Sequence, residues 1–345
     1  MLKKIPIPKR YTFFASEKAM QKIFSEKRDN FFPNSRGIFI EKIDCSSLRL
    51  GGVLKIFIKY LVRIQYANKT EQRLLYGIRR FNGTSYSEFL ILQYLWKNSI
   101  SAKNLLINRP LCFFSQYKLI LYEELVGDPL NEKIKQLPPR KTLRFLEPVA
   151  SLIALLHAKG GGAPFKVQNS LQKEKKKAAL FLKDFVDFYP SRGKEIKHLI
   201  EKVFFLKNRI IRRHKKTFAL IHNDLTLGNI VFQEKTKKLG VIDFSESCTY
   251  DPFIDVGTFL SQVDYLGHAK NIHPADIREF KQSFTKRYLR QSGKKQKTVN
   301  ERLNTYQAWG AIQNAIFTLA PAEKNHNTVL AEKFIKDARN YISKL

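Results

Sequence analysis

The sequence predicts an α+β protein of two lobes: an N-terminal lobe with an antiparallel sheet and one helix, then a larger, mainly helical lobe. Three observations lead there. The chain has 345 residues, more than the roughly 250–300 at which one hydrophobic core stops growing. Alternating apolar patterns cluster before residue 126. After Gly127-Asp128-Pro129 the apolar spacing is mostly helical. The lobes are accordingly expected at 1–125 and 126–345.

Each element has its own justification. In "LKIFIKYLVRIQY" (54–66), Ile56, Ile58, Tyr60, Val62, Ile64 and Tyr66 share one face. Lys55, Lys59, Arg63 and Gln65 lie on the other, as in a half-buried strand. The polar "NKTEQ" turns the chain, and "RLLYGIRRF" (73–81) returns, making a hairpin. "SYSEFLILQYLWKN" (85–98) switches to helical spacing, and "YKLILYEEL" (117–125) is another strand. "KTLRFLEPVASLIALLHAKG" (141–160) reads as one long amphipathic helix stopped by glycine. Residues 171–215 read as further helices. "FALIH", "NIVF" and "LGVIDF" suggest small strands around a tight loop, and helices resume from 255.

Composition narrows the class. Apolar residues are 43% and charged residues 27%, a globular balance rather than a disordered one. The net charge of +32 would suit a polyanionic partner. The basic residues are dispersed in short clusters, however, so no specific nucleic-acid partner is expected. Cys45, Cys112 and Cys248 are widely spaced and form no CxxC, which argues against a disulfide framework or a zinc site. The N-terminal "MLKKIPIPKRYTFF" has no unbroken apolar stretch. No run approaches the ~20 apolar residues of a membrane span. A cytoplasmic protein is the expectation.

The chemistry concentrates in "LIHNDLTLGNIVF" (220–232). His222, Asp224 and Asn229 sit among apolar residues, and Asp243 follows in "GVIDFSES". Phosphoryl transfer from Mg-ATP needs such a set. One Asp accepts the proton of an attacking hydroxyl, and an Asn and a second Asp hold Mg²⁺, a cation that takes oxygen ligands. Taken alone, Asp224 and Asn229 also fit turn residues.

"HNDLTLGNI" followed by "VIDF" and "DPFID" resembles the aminoglycoside phosphotransferase and choline kinase superfamily, which shares the bilobal protein-kinase-like fold. "LIALLHA" and "LYEELVGDPL" resemble its Leu-His helix and its interlobe hinge. The resemblance implies an ATP- and Mg²⁺-dependent phosphotransferase acting on a small-molecule hydroxyl. Asp224 would be the catalytic base and Asn229 and Asp243 the metal ligands. His222 would buttress the loop and Asp255 would brace it, although Asp255 also fits a helix N-cap. Glu123 and Leu125 would meet adenine through a backbone carbonyl and amide. Residues 1–125 would then bind nucleotide, and 126–345 would hold the catalytic loop and the acceptor site.

The sequence departs from the kinase pattern in places. Where kinases carry V-A-I-K, this chain has Tyr76-Gly77-Ile78-Arg79. Residues two apart share a strand face. Arg79 shares its face with Gly77, small enough to leave room for a flat base. Arg79 rather than Arg80 is therefore chosen as the phosphate cation. Glu88 would be its partner carboxylate, although Ser85-x-x-Glu88 is equally a capping box. Gly51-Gly52 is the candidate phosphate cover, while Gly160-Gly161-Gly162 reads as a helix stop.

A protein kinase is disfavoured, because Asn223 and Thr226 stand where its Arg and Lys would be. "DPFIDVGTFL" resembles the antibiotic and sugar kinases, which makes an aminoglycoside-phosphotransferase-like enzyme the leading expectation. "HNDL" resembles the choline kinases, so a choline/ethanolamine-type kinase is the alternative. A degenerate fold binding polyanions is the third reading. The resemblance puts the acceptor site within roughly residues 256–345.

Overall fold

The structure, a computed structural model, describes residues 6–50, 53–98, 105–159, 170–293, 299–319 and 327–345. Gly51-Gly52 and Gly160-Gly161-Gly162 lie outside these. The chain divides into two compact units. One comprises Met1–Val126 with Val241–Glu246, the other Gly127–Gly240 with Ser247–Leu345.

The first unit opens with a 3₁₀ turn (Lys9–Ala15) and helices α1 (Glu17–Glu26) and α2 (Arg28–Phe31). Then come β1 (Gly37–Leu50), β2 (Val53–Gln65), β3 (Thr70–Arg80), α3 (Ser85–Lys97), β4 (Leu106–Ile107), β5 (Arg109–Phe114) and β6 (Leu119–Glu123). Five strands form an antiparallel sheet in the order β1-β2-β3-β6-β5. The alternation in β2 is realised in full, with Ile56, Ile58, Tyr60, Val62 and Ile64 all buried. They pack under Phe14, Met20, Phe24 and Phe31 of the N-terminal helical segment. The Tyr60 hydroxyl donates to the Phe14 carbonyl at 2.7 Å. The opposite face, with Ile78, Ile120 and Tyr122, packs against Phe89 of α3. The sheet is thus covered on both sides, and α1 and α2 add to the one helix expected.

The second unit contains β7 (Asp128–Pro129), α4 (Leu130–Lys135), α5 (Pro139–Leu146), α6 (Val149–Lys159), α7 (Ser170–Phe188) and α8 (Gly193–His214). Small strands follow: β8 (Ala219–Ile221), β9 (Ile230–Gln233), β10 (Lys238–Val241) and β11 (Cys248–Tyr250). The chain ends with α9 (Phe253–Ala269), α10 (Pro274–Ser292), α11 (Val299–Thr318) and α12 (Thr328–Ile342). The single helix expected over 141–160 is in fact two. Pro148 lacks an N–H and its ring crowds the preceding turn, so the chain breaks between α5 and α6.

The core of this unit joins α7, α8, α11 and α12 through Phe185, Ile196, Val203, Ile312, Phe334 and Ile335. Lys207 is fully buried in it. Its ammonium pairs with Glu174 and lies 5.2 Å from the Trp309 ring centroid. Helices α9 and α11 cross closely. A Cβ on Gly257 would lie 2.4 Å from the Cβ of Tyr306, and one on Gly310 would lie 2.2 Å from the Ser261 hydroxyl. These glycines let α9 seat deeply, and α9 carries the carboxylate that shapes the polar loop.

Candidate active site

In the second unit, β8 delivers the chain into the loop that starts at His222. Asn223 has φ of 64°, a left-handed conformation that Asn tolerates better than most residues. The loop is pinned from below by Asp255, the third residue of α9. Its Oδ2 accepts from the His222 amide at 2.7 Å and its Oδ1 from the Asn223 amide at 2.8 Å. His157 of α6 brings Nε2 to within 3.0 Å of the same Oδ2, and its Nδ1 lies 3.0 Å from the Tyr288 hydroxyl. Burial opposes the charge on Asp255, but the bonds from His157 and His222 outweigh it and hold the carboxyl below its usual range. Asp255 is therefore ionised, and His157 Nε2 donates to it.

Above this brace, Asp224 is exposed. Its carbonyl accepts from the Thr226 amide at 2.9 Å and from Asn229 Nδ2 at 2.8 Å. Asn229 Nδ2 also lies 3.3 Å from Asp224 Oδ2. A 3₁₀ turn, Leu227–Asn229, closes the loop. The bonds are those of a turn, yet the aspartate keeps its carboxylate towards solvent. Asp255 does not cap its own helix. That contact falls to Asp251, whose Oδ1 accepts from the Phe253 amide at 3.0 Å. Asp251 is itself buried, bound by Arg302 and by the Tyr306 hydroxyl at 3.0 Å. His222 is fully buried, and Ser247 donates to its carbonyl at 3.1 Å.

The first unit holds a second charged group. Arg80 at the end of β3 pairs with Glu88 of α3, and its Nη2 lies 2.9 Å from Asp243 Oδ1. Asp243 has φ of 61°, and the Ser245 hydroxyl donates to its Oδ1 at 2.6 Å. Arg80 and Glu88 are both buried. Burial pushes Glu88 up to about 7 in spite of Arg80. Burial also works against the charge of Arg80, but Glu88 and Asp243 outweigh it and keep the guanidinium charged.

Glu88, expected to partner Arg79, pairs with Arg80 instead. Arg79 donates to the Arg80 carbonyl at 2.5 Å and lies 4.7 Å from the Phe81 ring centroid, and it touches neither acid. The error lay in the meaning given to Gly77. A Cβ there would meet Leu119 at 3.3 Å and Ile58 at 3.6 Å, so the residue is small because that face is packed. Arg80 lies on the other face with Tyr76 and Ile78, the face that α3 covers through Phe89 and on which Glu88 meets it. The capping box does not form either. Ser85 accepts from the Arg80 amide at 3.1 Å, while Glu88 turns to Arg80.

At the end of β6, the Leu125 amide donates to Asn108 Oδ1 at 2.9 Å. The Glu123 carboxylate lies 3.3 Å from Arg73 and 3.5 Å from Arg109. A base meeting the Leu125 amide would have to displace Asn108.

Asn229 and Asp243, which belong to different units, each carry an oxygen donor of the kind that Mg²⁺ takes. No cluster of three or more acidic, His or Cys side chains able to hold a metal occurs among the described residues.

The fold is of the protein-kinase-like class. The choline/ethanolamine kinase family profile matches residues 165–340, just over half of the sequence. The chain belongs to that family. None of the curated protein sequences matches it. Among solved structures, an ethanolamine kinase from Plasmodium vivax is 16% identical, with 95% of this chain and 87% of that one covered and a TM-score of 0.50. An aminoglycoside phosphotransferase from Streptomyces rimosus is 15% identical over 85% of this chain and 97% of its own, at a TM-score of 0.50. Spectinomycin phosphotransferase, solved with ADP and spectinomycin, is 13% identical over 95% and 97%, at 0.54. At these identities the likeness is one of fold. No helix among the described residues is long and apolar enough to cross a membrane.

Proposed function

We propose that the protein transfers a phosphoryl group from ATP to the hydroxyl of a small amino alcohol of the choline or ethanolamine type. The observation that carries this reading is the exposed Asp224 in a loop whose preceding amides are pinned by Asp255. A carboxylate held in place but open to solvent is what a general base for a diffusing alcohol requires. Family membership supports the amino-alcohol acceptor.

The residues divide the work. Asp224 accepts the proton of the acceptor hydroxyl as its oxygen attacks the γ-phosphorus. Arg80, held by Glu88, offers its guanidinium to phosphate oxygens in place of the usual lysine. Its Nε is buried with no partner among the described residues, which suits an anionic ligand. Asn229 and Asp243 would hold Mg²⁺, which neutralises charge on the phosphates. Glu123 and Leu125 would meet adenine once Asn108 gives way. The unit containing residues 1–126 supplies the nucleotide contacts, and the other the base and the acceptor contacts.

An aminoglycoside acceptor is the second reading, favoured by the likeness of "DPFIDVGTFL" to the antibiotic kinases. The test is ADP release by the purified chain with ethanolamine, choline and a panel of aminoglycosides. Turnover with an amino alcohol is expected. Turnover confined to aminoglycosides would move the substrate to the second reading. Absence of turnover with all of them, together with absence of Mg-ATP binding, would overturn the kinase proposal.

A further inference from the structure

A cleft of about 780 Å³ opens among α9, α10 and α11, wholly within the second unit. Eleven residues line it. Lys281, Lys286 and Arg290 are cationic, four are amides, and none is a carboxylate. Lys281 is held from behind by Asp264 at 2.9 Å. Lys286 and Arg290 have no acidic partner among the described residues, and both are exposed. In a chain with 62 basic and 30 acidic residues, that alone would be ordinary.

Gln307 is the second observation. It lines the cleft at 5% exposure. Its Nε2 faces the Leu303 carbonyl at 3.4 Å. Its Oε1 is buried with no hydrogen-bond partner among the described residues. An orphaned buried acceptor is costly unless a donor arrives. Cations at the rim and an unmatched acceptor inside call for a ligand bearing both an anion and a donor. The volume lies within the range of small-ligand sites, ~300–1,000 Å³.

We infer that this cleft binds a phosphorylated polyhydroxy compound. Its phosphate meets Lys286 and Arg290, and a hydroxyl donates to Gln307 Oε1. The same chemistry occurs in a soluble polyol phosphate and in a phosphoinositide headgroup, and the experiment separates the two.

The chain is titrated at physiological ionic strength with saturating Mg-ADP present, so that phosphate probes do not report on the nucleotide contacts. The probes are myo-inositol 1,4,5-trisphosphate, inorganic tripolyphosphate as a hydroxyl-free control, and phosphatidylcholine vesicles with and without phosphatidylinositol 4,5-bisphosphate. The inositol phosphate is expected to bind, and Lys286→Ala with Arg290→Ala to weaken it at least tenfold. Gln307→Ala should weaken the inositol probe while leaving tripolyphosphate unchanged. Vesicle binding alone identifies the headgroup source, and binding of the free compound identifies the soluble one. If neither probe binds, or if the exposed Lys286/Arg290 double variant binds as well as wild type, the inference fails and the charge is merely diffuse.

Discussion

Removing the Arg80 side chain should be far more damaging than removing that of Arg79, its neighbour on the strand. Arg80 and Glu88 each have side chains only 3% exposed. Arg80→Ala leaves Glu88 buried and unpaired, a class of change that costs about 3–5 kcal/mol. It also frees Asp243 from a contact of 2.9 Å. Arg79 makes one bond to a carbonyl and lies over Phe81, which is 41% exposed. Such a cation–π contact contributes about 0.5–1 kcal/mol. The Arg80 penalty should be larger at pH 8 than at pH 6, because a protonated Glu88 tolerates solitude better. A chain with two units does not unfold as one transition. The assay is therefore urea-dependent hydrogen exchange of β3 and α3 peptides in Arg79→Ala and Arg80→Ala. Equal losses of protection would refute the assignment of the buried cation.

Further outcomes follow from the same geometry. Glu88→Gln isolates the raised carboxyl. A folded value of about 7 against 4.5 means that Glu88 stabilises the fold below pH 4.5 and loses that contribution as pH rises through 7. At about 1.4 kcal/mol per unit, wild type should lose about 3.5 kcal/mol relative to Glu88→Gln across that window, measured by hydrogen exchange of β3 and α3 peptides at stepped pH after correction for intrinsic exchange rates. Asp255→Ala removes two charge-assisted bonds to backbone amides, each worth roughly 1.5 kcal/mol or more. The His222 and Asn223 amides should then exchange about a hundredfold faster by mass spectrometry or NMR. Asp243→Ala should abolish Mg²⁺-dependent ATP binding in calorimetry. The dispersed charge should give no sub-micromolar affinity for DNA or RNA at physiological salt, where exposed charges are screened beyond ~8 Å.

Much of the fold could be read from the chain because β2 alternates without interruption and α3 changes period cleanly. Strand β1 was not legible for a physical reason. A register shift between Ile40 and Lys42 breaks its alternation, as a bulge does. The break at Pro148 was available and was overridden by the apolar periodicity on either side. The polar loop stood out because His222, Asp224 and Asn229 interrupt an apolar run. Of its supports, Asp255 came with the family resemblance, while His157, Arg302 and Tyr306 did not stand out. His157 lies within "LLHA", where a histidine surrounded by leucine and alanine signals a buried partner without saying which. Arg302 and Tyr306 reach Asp251 across about fifty residues, a pairing that local spacing does not encode. The choice between Arg79 and Arg80 depended on which sheet face the N-terminal helices cover. That was decided by Phe14, Met20 and Phe24, whose packing leaves no mark near residue 77.

The central claim is that Asp224 is the base of a phosphotransferase. The direct measurement is single-turnover phosphorylation of the acceptor identified by ADP release, comparing wild type with Asp224→Asn at equal nucleotide occupancy. A positioned general base contributes about two to four orders of magnitude, so the variant should bind Mg-ATP normally and fall in rate by that factor. A rate within about threefold of wild type, against that expected loss, would return Asp224 to the turn it also forms and contradict the account.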